Sequence, residues 1–169
     1  MILRDQFLEG MSRAATSVTI VTTDGPAGRT GVTVSAMSSV SADRPALLVC
    51  VHQASPACAA IKANGSLCVN LLRDDQSDIS DRFAGRIKSP DGDKFHGASW
   101  RRLATGAPAL DEALVAFDCT VMKVIDWGTH TIFIADVVDT ELADDGRPLI
   151  YTQRNYATPQ ARGLSANAH

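Results

Sequence analysis

Small and hydroxyl-bearing residues crowd residues 30–41, which read Thr-Gly-Val-Thr-Val-Ser-Ala-Met-Ser-Ser-Val-Ser. The first half alternates as a strand does, with Val32 and Val34 on one face and Thr33 on the other. From Ser35 onward the alternation fails, and the residues are smaller than those of a core strand. Small side chains let a flat ligand approach backbone N–H and C=O groups, and hydroxyls donate hydrogen bonds without charge. The stretch predicts either a surface for a planar ring rich in carbonyls and ring nitrogens, or an edge strand that ends in a serine-rich loop.

Two further positions have chemistry suited to a nucleotide. Ser55 and Pro56 begin a helical pattern, and a helix N-terminus offers free N–H groups and partial positive charge to a phosphate. A simple N-cap explains the same residues. His130 opens a strand after a tight turn, where its imidazole could hydrogen-bond an amide or carbonyl, although a lone histidine is more often structural.

Spacing argues against several other chemistries. The four cysteines contain no C-x-x-C pair, and His52 and His96 lack ligand-like spacing with His130, so no metal site is predicted. The glycines at 25, 28 and 31 lie in a hairpin and not between a strand and a helix, so a nicotinamide cofactor would be bound without a Rossmann fold. Hydrolase signatures are absent from the sequence.

Composition places the chain among ordinary globular proteins. It has 169 residues, a net charge of −3, 45% hydrophobic and 21% charged residues, which predicts one domain over residues 1–169 with a flexible tail from about residue 157. No basic block indicates nucleic-acid binding, and no apolar run approaches the ~20 residues of a membrane span. We expect a cytoplasmic protein in which Cys50, Cys68 and Cys119 act as small buried hydrophobes.

The elements that must position these residues are mostly strands. The patterns predict strands at 17–23, 30–35, 46–51, 66–72, 100–104, 113–127, 130–140 and 148–152, and helices at 2–14, 55–64 and 74–84. In the strand 113–127 the odd positions are apolar except for Lys123, and Asp118 falls on the even face. Residues 85–97 predict a long surface loop. Strands joined by turns, with few short helices, favour a mainly β, antiparallel barrel.

Several stretches, taken together, resemble one family. They are Thr-Val-Ser-Ala-Met-Ser-Ser-Val-Ser at 33–41, Leu-Val-Cys-Val at 48–51, Cys-Val-Asn-Leu-Leu at 68–72, Phe-Ala at 83–84, Asp-Lys-Phe at 93–95, Phe-Asp-Cys at 117–119, Gly-Thr-His-Thr-Ile-Phe-Ile at 128–134 and Pro-Leu-Ile-Tyr at 148–151. In order and spacing they resemble the short-chain flavin reductases. These are the reductase components of two-component flavin monooxygenases, such as those that hydroxylate 4-hydroxyphenylacetate. The resemblance covers about residues 5–156.

The resemblance implies an FMN-binding split barrel of Greek-key topology and a homodimer with flavin at the subunit interface. It also implies NAD(P)H:flavin oxidoreductase activity, with FAD or FMN as the flavin and NADH or NADPH as the reductant. Reduced flavin would diffuse to a separate oxygenase that acts on an aromatic, phenolic compound. The cofactor-binding residues carried over to this sequence are Thr33, Val34, Ser35, Ala36, Met37, Ser38, Ser39, Val51, Ser55, Ala57, Asn70, Phe83, His130, Tyr151 and Tyr156, with His130 as the catalytic residue.

Roles follow from the same resemblance. Residues 33–39 would line the isoalloxazine and ribityl chain, and Ser55 would take the phosphate. His130 would contact the nicotinamide or the flavin, while Tyr151 and Tyr156 would help to close the site. Phe83 would border the nicotinamide side.

The sequence departs from the family pattern at two positions. Thr129 stands where the family often has an acid before the histidine, and Ala57 stands where it often has a threonine.

Two alternative functions remain open. One alternative is an oxidase of the same fold that retains its flavin and resembles pyridoxamine-phosphate oxidase. The other is a non-enzymatic flavin-binding or haem-binding barrel.

Overall fold

The structure, a computed structural model, describes residues 3–160. The helices within this range are α1 (Arg4–Ser12), α2 (Pro56–Asn64) and α3 (Ser77–Phe83). The strands are β1 (Thr16–Ser17), β2 (Thr19–Thr23), β3 (Thr30–Val34), β4 (Met37–Ser41), β5 (Ala46–His52), β6 (Ser66–Leu71), β7 (Trp100–Arg102), β8 (Pro108–Leu110), β9 (Val115–Trp127), β10 (His130–Leu142), β11 (Ile150–Thr152) and β12 (Asn155–Ala157).

The main sheet is antiparallel and has seven strands in the order β3-β2-β6-β9-β10-β5-β4. Two small sheets, β1-β11-β12 and β7-β8, lie beside it. Its two edge strands, β3 and β4, follow one another in the chain and are separated only by Ser35 and Ala36. The corner between them therefore brings the two edges of the sheet together.

One hydrophobic cluster is shared by strands from the whole width of this sheet. Val34 of β3, Val49 of β5 and Phe133 of β10 pack in it, together with Ile61 of α2, and Met37 of β4 packs against it. Strands at opposite ends of a flat sheet could not share a core, so the sheet is strongly curved around this cluster. The mainly β, antiparallel fold with short helices that the sequence predicts is confirmed.

Local signals at α2 act as the sequence predicts. Pro56 occupies the first turn, where its missing N–H leaves no hydrogen bond unmade. The helix ends at Gly65, whose φ of 71° is left-handed and suits a glycine. The helix packs one side into the core, and Ala57 and Ile61 are fully buried.

A second cluster holds α3 and the loop after it against the sheet. Phe83 packs edge-to-face on Phe95, with ring centroids 5.0 Å apart, and Phe95 packs similarly on Trp100 at 4.9 Å. The Trp100 indole also donates a hydrogen bond to the Phe95 carbonyl at 3.1 Å. Residues 85–97 form no helix or strand, as predicted, but this aromatic trio anchors their C-terminal end.

Several sequence predictions need correction. One of the two interpretations of residues 37–41 was a serine-rich loop, but these residues form strand β4. The strand forms despite its weak strand propensity because its backbone pairs with β5 from Met37 to Ser41. The short strands β8 and β12 were missed. Asp118 is fully buried instead of facing solvent, because its carboxylate accepts hydrogen bonds from the backbone N–H and hydroxyl of Thr105.

The cysteines mostly match the expectation. Cys68, Cys119 and also Cys58 are buried free thiols, whereas Cys50 is only half-buried. Burial raises the pKa of the Cys119 thiol to about 12, so it stays protonated at neutral pH. These thiols are therefore packing residues.

Helix α1 is shorter than predicted and carries no buried residue. Leu3, Phe7, Leu8 and Met11 are exposed along it. Its amphipathic pattern therefore has no apolar partner within the described part of this single chain. Residues 161–169 of the predicted flexible tail lie outside the described range.

No helix among residues 3–160 is both long and apolar enough to cross a membrane.

Candidate functional site

A cavity of about 170 Å³ opens where β3, α3 and the β11–β12 hairpin meet. Its lining residues are Val18, Thr33, Val34, Ser35, Ser80, Ala84, Arg86, Tyr151 and Tyr156. Five of these were predicted from the sequence as cofactor-binding residues: Thr33, Val34, Ser35, Tyr151 and Tyr156. Residues more than 110 positions apart in the chain thus share one small space.

One side of the cavity is fixed by a contact between β3 and α3. The Thr33 hydroxyl donates a hydrogen bond to the Ser80 carbonyl at 2.6 Å. Two residues earlier, Gly31 lets the Phe83 ring lie against the strand, because a Cβ at this position would be only 2.7 Å from that ring. A glycine is therefore required where the helix approaches most closely.

The opposite side consists of two tyrosines on paired strands. Tyr151 of β11 and Tyr156 of β12 are register partners, and their rings meet at 5.6 Å. The turn between them uses left-handed φ values of 48° at Gln153 and 62° at Arg154, conformations that are uncommon for non-glycine residues. The Gln153 N–H donates to the Ser12 carbonyl, so α1 holds this turn in place.

Charged and polar groups of α3 fix the Tyr156 hydroxyl. It donates to the Asp81 carboxylate at 2.6 Å and lies 2.9 Å from the Ser80 hydroxyl. Arg86 bonds the same carboxylate at 3.0 Å and lies over both tyrosine rings at about 6 Å. Burial raises the pKa of Tyr156, and the bond to Asp81 raises it further, so the phenol stays protonated at neutral pH.

The segment that follows the cavity is open to solvent. Ser35, Ala36, Ser38 and Ser39 are exposed, and Met37 is half-buried. Within residues 3–160 this segment is attached along one side, where the Cys50 N–H donates to the Ala36 carbonyl at 3.0 Å and β4 pairs with β5. We call residues 33–39 the ribbon; at 35–39 its side chains are small apart from the half-buried Met37.

Two histidines lie at the C-terminal end of β5. His130 begins β10 opposite His52, and their rings meet edge-on at 5.0 Å. The Thr129 hydroxyl lies 2.9 Å from His130 Nδ1, at the position where the family often has an acid. Ser55 caps α2 by position but makes no side-chain capping bond, so its hydroxyl is available to a ligand.

Four of the predicted residues lie inside the protein and do not face the cavity or the ribbon. Val51 and Ala57 belong to the core at 1% exposure each. Asn70 is fully buried, where its amide donates to the Ile20 carbonyl at 3.1 Å and accepts from the Leu110 N–H at 2.7 Å. Phe83 supports the cavity from behind, through Gly31. These four residues were carried over from the family resemblance, which carries no information on how this chain buries each side chain.

The sequence reasoning missed Val18, Ser80, Ala84 and Arg86 as lining residues. Ser80 and Arg86 flank the Phe-Ala motif at 83–84, and that proximity was the available signal. Two neighbouring cations have other partners: the Arg82 guanidinium bonds the His96 carbonyl, and Lys62 pairs with Asp126 at 2.8 Å.

The cavity alone is smaller than a typical ligand pocket, which has about 300–1,000 Å³. A whole flavin nucleotide therefore does not fit inside it. Hydroxyls, free backbone edges and tyrosine rings are the groups that a polar, planar ring requires. Among residues 3–160 no group of three or more His, Cys, Asp or Glu residues is placed to hold a metal ion.

These features define a small antiparallel β protein with an exposed, hydroxyl-rich edge beside a tyrosine-lined cavity. The chain belongs to the flavin reductase-like family, since the model of the flavin reductase like domain matches residues 11–160. The family that the sequence motifs predicted is therefore confirmed.

Individual proteins agree with this membership. The chain is 45% identical over 153 residues to FMN reductase (NADH) RutF 2 of Rhizobium rhizogenes, covering 90% of this chain and 87% of that protein. It is 30% identical to a solved structure described as nitrilotriacetate monooxygenase component B from Mycobacterium thermoresistibile, with a TM-score of 0.83 over 98% of this chain and 96% of the other. It is 31% identical to BorF, the flavin reductase component of a bacterial two-component tryptophan halogenase, with a TM-score of 0.81 over 94% of this chain and 99% of the other.

Proposed function

We propose that this protein is an NADH-dependent flavin reductase that reduces FMN or FAD. The observation that carries the proposal is the 45% identity, over 90% of the chain, to a protein named FMN reductase (NADH). The geometry supports it, because the ring-binding ribbon is exposed and lies beside an open cavity. Had those small residues been packed under other protein, no ring could reach them.

The residues of the site suit binding and orientation more than proton transfer. A bound flavin supplies the redox chemistry itself by accepting a hydride from a nicotinamide ring. The protein must hold the two rings face to face and stabilise negative charge on the accepting ring system. The Ser35 hydroxyl and the free edge of the ribbon can donate to such a ring, and the Thr33 hydroxyl, whose proton goes to the Ser80 carbonyl, can accept from it. Arg86 lines the cavity as an ion pair with Asp81.

In this proposal His130 contributes beside the start of β4, because its register partner His52 lies two residues beyond Cys50, whose N–H bonds the Ala36 carbonyl. Its ring is exposed, and its Nδ1 is held by Thr129, which leaves Nε2 for a carbonyl or amide of the nicotinamide. Ser55 and the start of α2 would bind a phosphate.

The test mixes purified protein with NADH and either FMN or FAD, without oxygen, and follows NADH absorbance. We expect oxidation that depends on both protein and flavin, and titrations of the two flavins give the preference. NADPH in a parallel series gives the nicotinamide preference. No flavin-dependent oxidation of either nucleotide would refute the proposal.

We also propose a homodimer with the flavin between subunits. The outer face of β5, β9 and β10 supports this, because inward neighbours such as Val49 and Phe133 are buried while Cys50, Ile125 and Ile132 on the outer face are only half-buried. A second copy would cover this apolar face and enlarge the small cavity into a nucleotide-sized site. Light scattering that gives the mass of one chain at micromolar concentration would contradict the dimer.

The reduced flavin then leaves and serves a separate oxygenase. The names of the two solved neighbours, a monooxygenase component and a halogenase component, support a two-component system. Protein confined behind a dialysis membrane with NADH and flavin should reduce cytochrome c on the other side. A flavoprotein oxidase that keeps its flavin would instead elute yellow from gel filtration and leave the cytochrome oxidised.

We propose further that the partner oxygenase acts on a phenolic compound. A phenol-hydroxylating oxygenase as the partner is what the family resemblance implies. The partners named for the solved neighbours act on nitrilotriacetate and tryptophan, so relatives of this fold serve different substrates. Coupling the reductase to a phenol-hydroxylating oxygenase and to a halogenase, and comparing product yields, tests this preference.

A further inference from the structure

The turn between β11 and β12 has a conformation that its residues disfavour. It consists of Gln153 and Arg154, and both have left-handed φ values, 48° and 62°. A two-residue hairpin turn with positive φ at both positions is normally built from glycine or asparagine. A glutamine and an arginine keep this conformation only where contacts from outside the turn impose it.

Those contacts come from the last turn of α1. The Gln153 N–H donates to the Ser12 carbonyl, and the Arg154 guanidinium bonds the Glu9 carboxylate at 3.1 Å. The bond from Arg154 lowers the pKa of Glu9, so the carboxylate stays charged at neutral pH. Among residues 3–160, α1 makes no other hydrogen bond to a strand or to another helix.

The same hairpin positions both tyrosines of the chain. Tyr151 and Tyr156 each stand two positions from the turn, one on either strand. Within residues 3–160, β11 pairs with β1 over two residues, and β12 pairs with β11 alone. Strands this short are marginal without further support. The hairpin is fixed at two more places, at its turn to α1 and at the Tyr156 hydroxyl to Asp81 of α3.

We propose that Glu9 and Arg154 are positioning residues for the flavin. By holding the turn, they keep Tyr151 and Tyr156 against the cavity and so raise the affinity for the flavin ring. The proposal rests on the reductase function, which places that ring along the ribbon, and residues 33–35 of the ribbon line this cavity. It also gives a function to α1, a helix with no buried side chain.

The first experiment measures steady-state kinetics with NADH and FMN. The Glu9 and Arg154 side chains are 50% and 64% exposed, and an exposed ion pair changes an equilibrium by roughly two- to fivefold. Glu9→Gln and Arg154→Gln should each raise the KM for FMN by about that factor. Neither residue touches the reacting rings, so kcat should change little. The two effects should not add in the double variant, because each change removes the same bond.

Two further variants serve as control and rescue. Arg102→Gln is the matched control, because it breaks an exposed ion pair with Asp24, which follows β2 at the end opposite to the cavity residue Val18. Gln153→Asn keeps the backbone N–H and introduces a residue that favours positive φ. In the Glu9→Gln background it should restore most of the FMN affinity, because the turn then needs less support from α1.

The second experiment is fluorine NMR of protein labelled with fluorotyrosine, without ligand. With two tyrosines in the chain, both signals come from the cavity wall, and Tyr156→Phe removes one and assigns both. Glu9→Gln should shift or broaden both signals, whereas Arg102→Gln should leave them unchanged. If Glu9 stabilised only α1 itself, its replacement would leave both signals in place.

Three results would overturn the inference. They are a wild-type KM for FMN in both single variants, additive effects in the double variant, and tyrosine signals that Glu9→Gln does not change. The tyrosine signals are recorded without turnover, so they test the attachment separately from catalysis. A wild-type enzyme that oxidises no NADH would instead refute the reductase function itself.

Discussion

Gly31→Ala should strain the contact that sets the width of the cavity. A Cβ built on Gly31 lies 2.7 Å and 3.0 Å from two Phe83 ring carbons and 3.1 Å from the Thr22 methyl. Carbon atoms prefer separations of about 3.5–4.0 Å, so the Phe83 ring must move by ~1 Å. The substitution adds one methyl group at a position where the backbone itself is not strained.

Phe83 has little freedom to make this movement. It is 1% exposed and is packed against Phe95 and Trp100 on its other sides. Overpacking of this kind costs about 1–3 kcal/mol of unfolding free energy. At roughly 2–4 °C per kcal/mol for a chain of this size, we expect the Tm to fall by roughly 2–12 °C.

The same displacement should reach the cavity. Phe83 ends α3, and Ser80 of the same helix accepts the hydrogen bond from Thr33. Moving the helix away from β3 lengthens that bond and alters the wall of the cavity. We expect weaker flavin binding in the NADH-oxidation assay, together with lower stability in urea unfolding.

Two further variants make the test decisive. Gly10→Ala is the control, because a Cβ at this exposed position of α1 meets nothing within 4 Å and alanine favours a helix. Phe83→Leu in the Gly31→Ala background should recover part of the lost stability, since the smaller side chain relieves the clash. A Gly31→Ala protein with the unfolding free energy and flavin affinity of the wild type would refute the reasoning.

The remaining predictions concern the hydrogen bonds of Tyr156 and Asp118 and the exposed ring of His130. Tyr156→Phe removes the bond to Asp81 and should lower the unfolding free energy by about 1 kcal/mol in urea titrations. The pKa of Tyr156 is higher in the folded protein than in the unfolded chain, where it is ~10. The stabilisation that the protonated phenol gives is therefore complete below the unfolded-state pKa and is lost as the pH rises through the folded-state pKa. Wild type should therefore lose more stability than Tyr156→Phe at high pH, and equal losses would contradict this. Asp118→Ala leaves the part-buried Thr105 N–H without its acceptor, so calorimetry should show a loss of about 1–3 kcal/mol of unfolding free energy, and an unchanged Tm would count against it. His130→Ala should raise the KM for NADH with the fold intact by circular dichroism, and an unchanged rate and KM would remove His130 from the site.

Local pattern was sufficient for the elements with strong periodicity or clear end signals. The alternating apolar residues of β9 and the turn at 128–129 predicted the long hairpin, and Pro56 and Gly65 predicted the ends of α2. These signals depend on neighbours a few residues away, so the sequence contains them directly.

Weak local signals were overridden by pairing. β4 has the composition of a loop, and it is a strand because β5 offers it a partner. Asp118 looks like a surface residue, and it is buried because Thr105 satisfies its oxygens. Neither outcome can be predicted without knowing which segments meet, since the stabilising partner is distant in the chain.

The sequence by itself determined the family, the mainly β class and the hydroxyl-rich ribbon at 33–39, because these depend on residue types and their order. Only the tertiary structure decided which residues share a site. It brought Ser80, Arg86 and the two tyrosines to the end of that ribbon, sent Asn70 into the core, and placed Glu9 of α1 beside Arg154 in the turn between those tyrosines. The physical reason is that a cavity wall and a sheet register are set by contacts between distant segments, and those contacts depend on how the whole core packs.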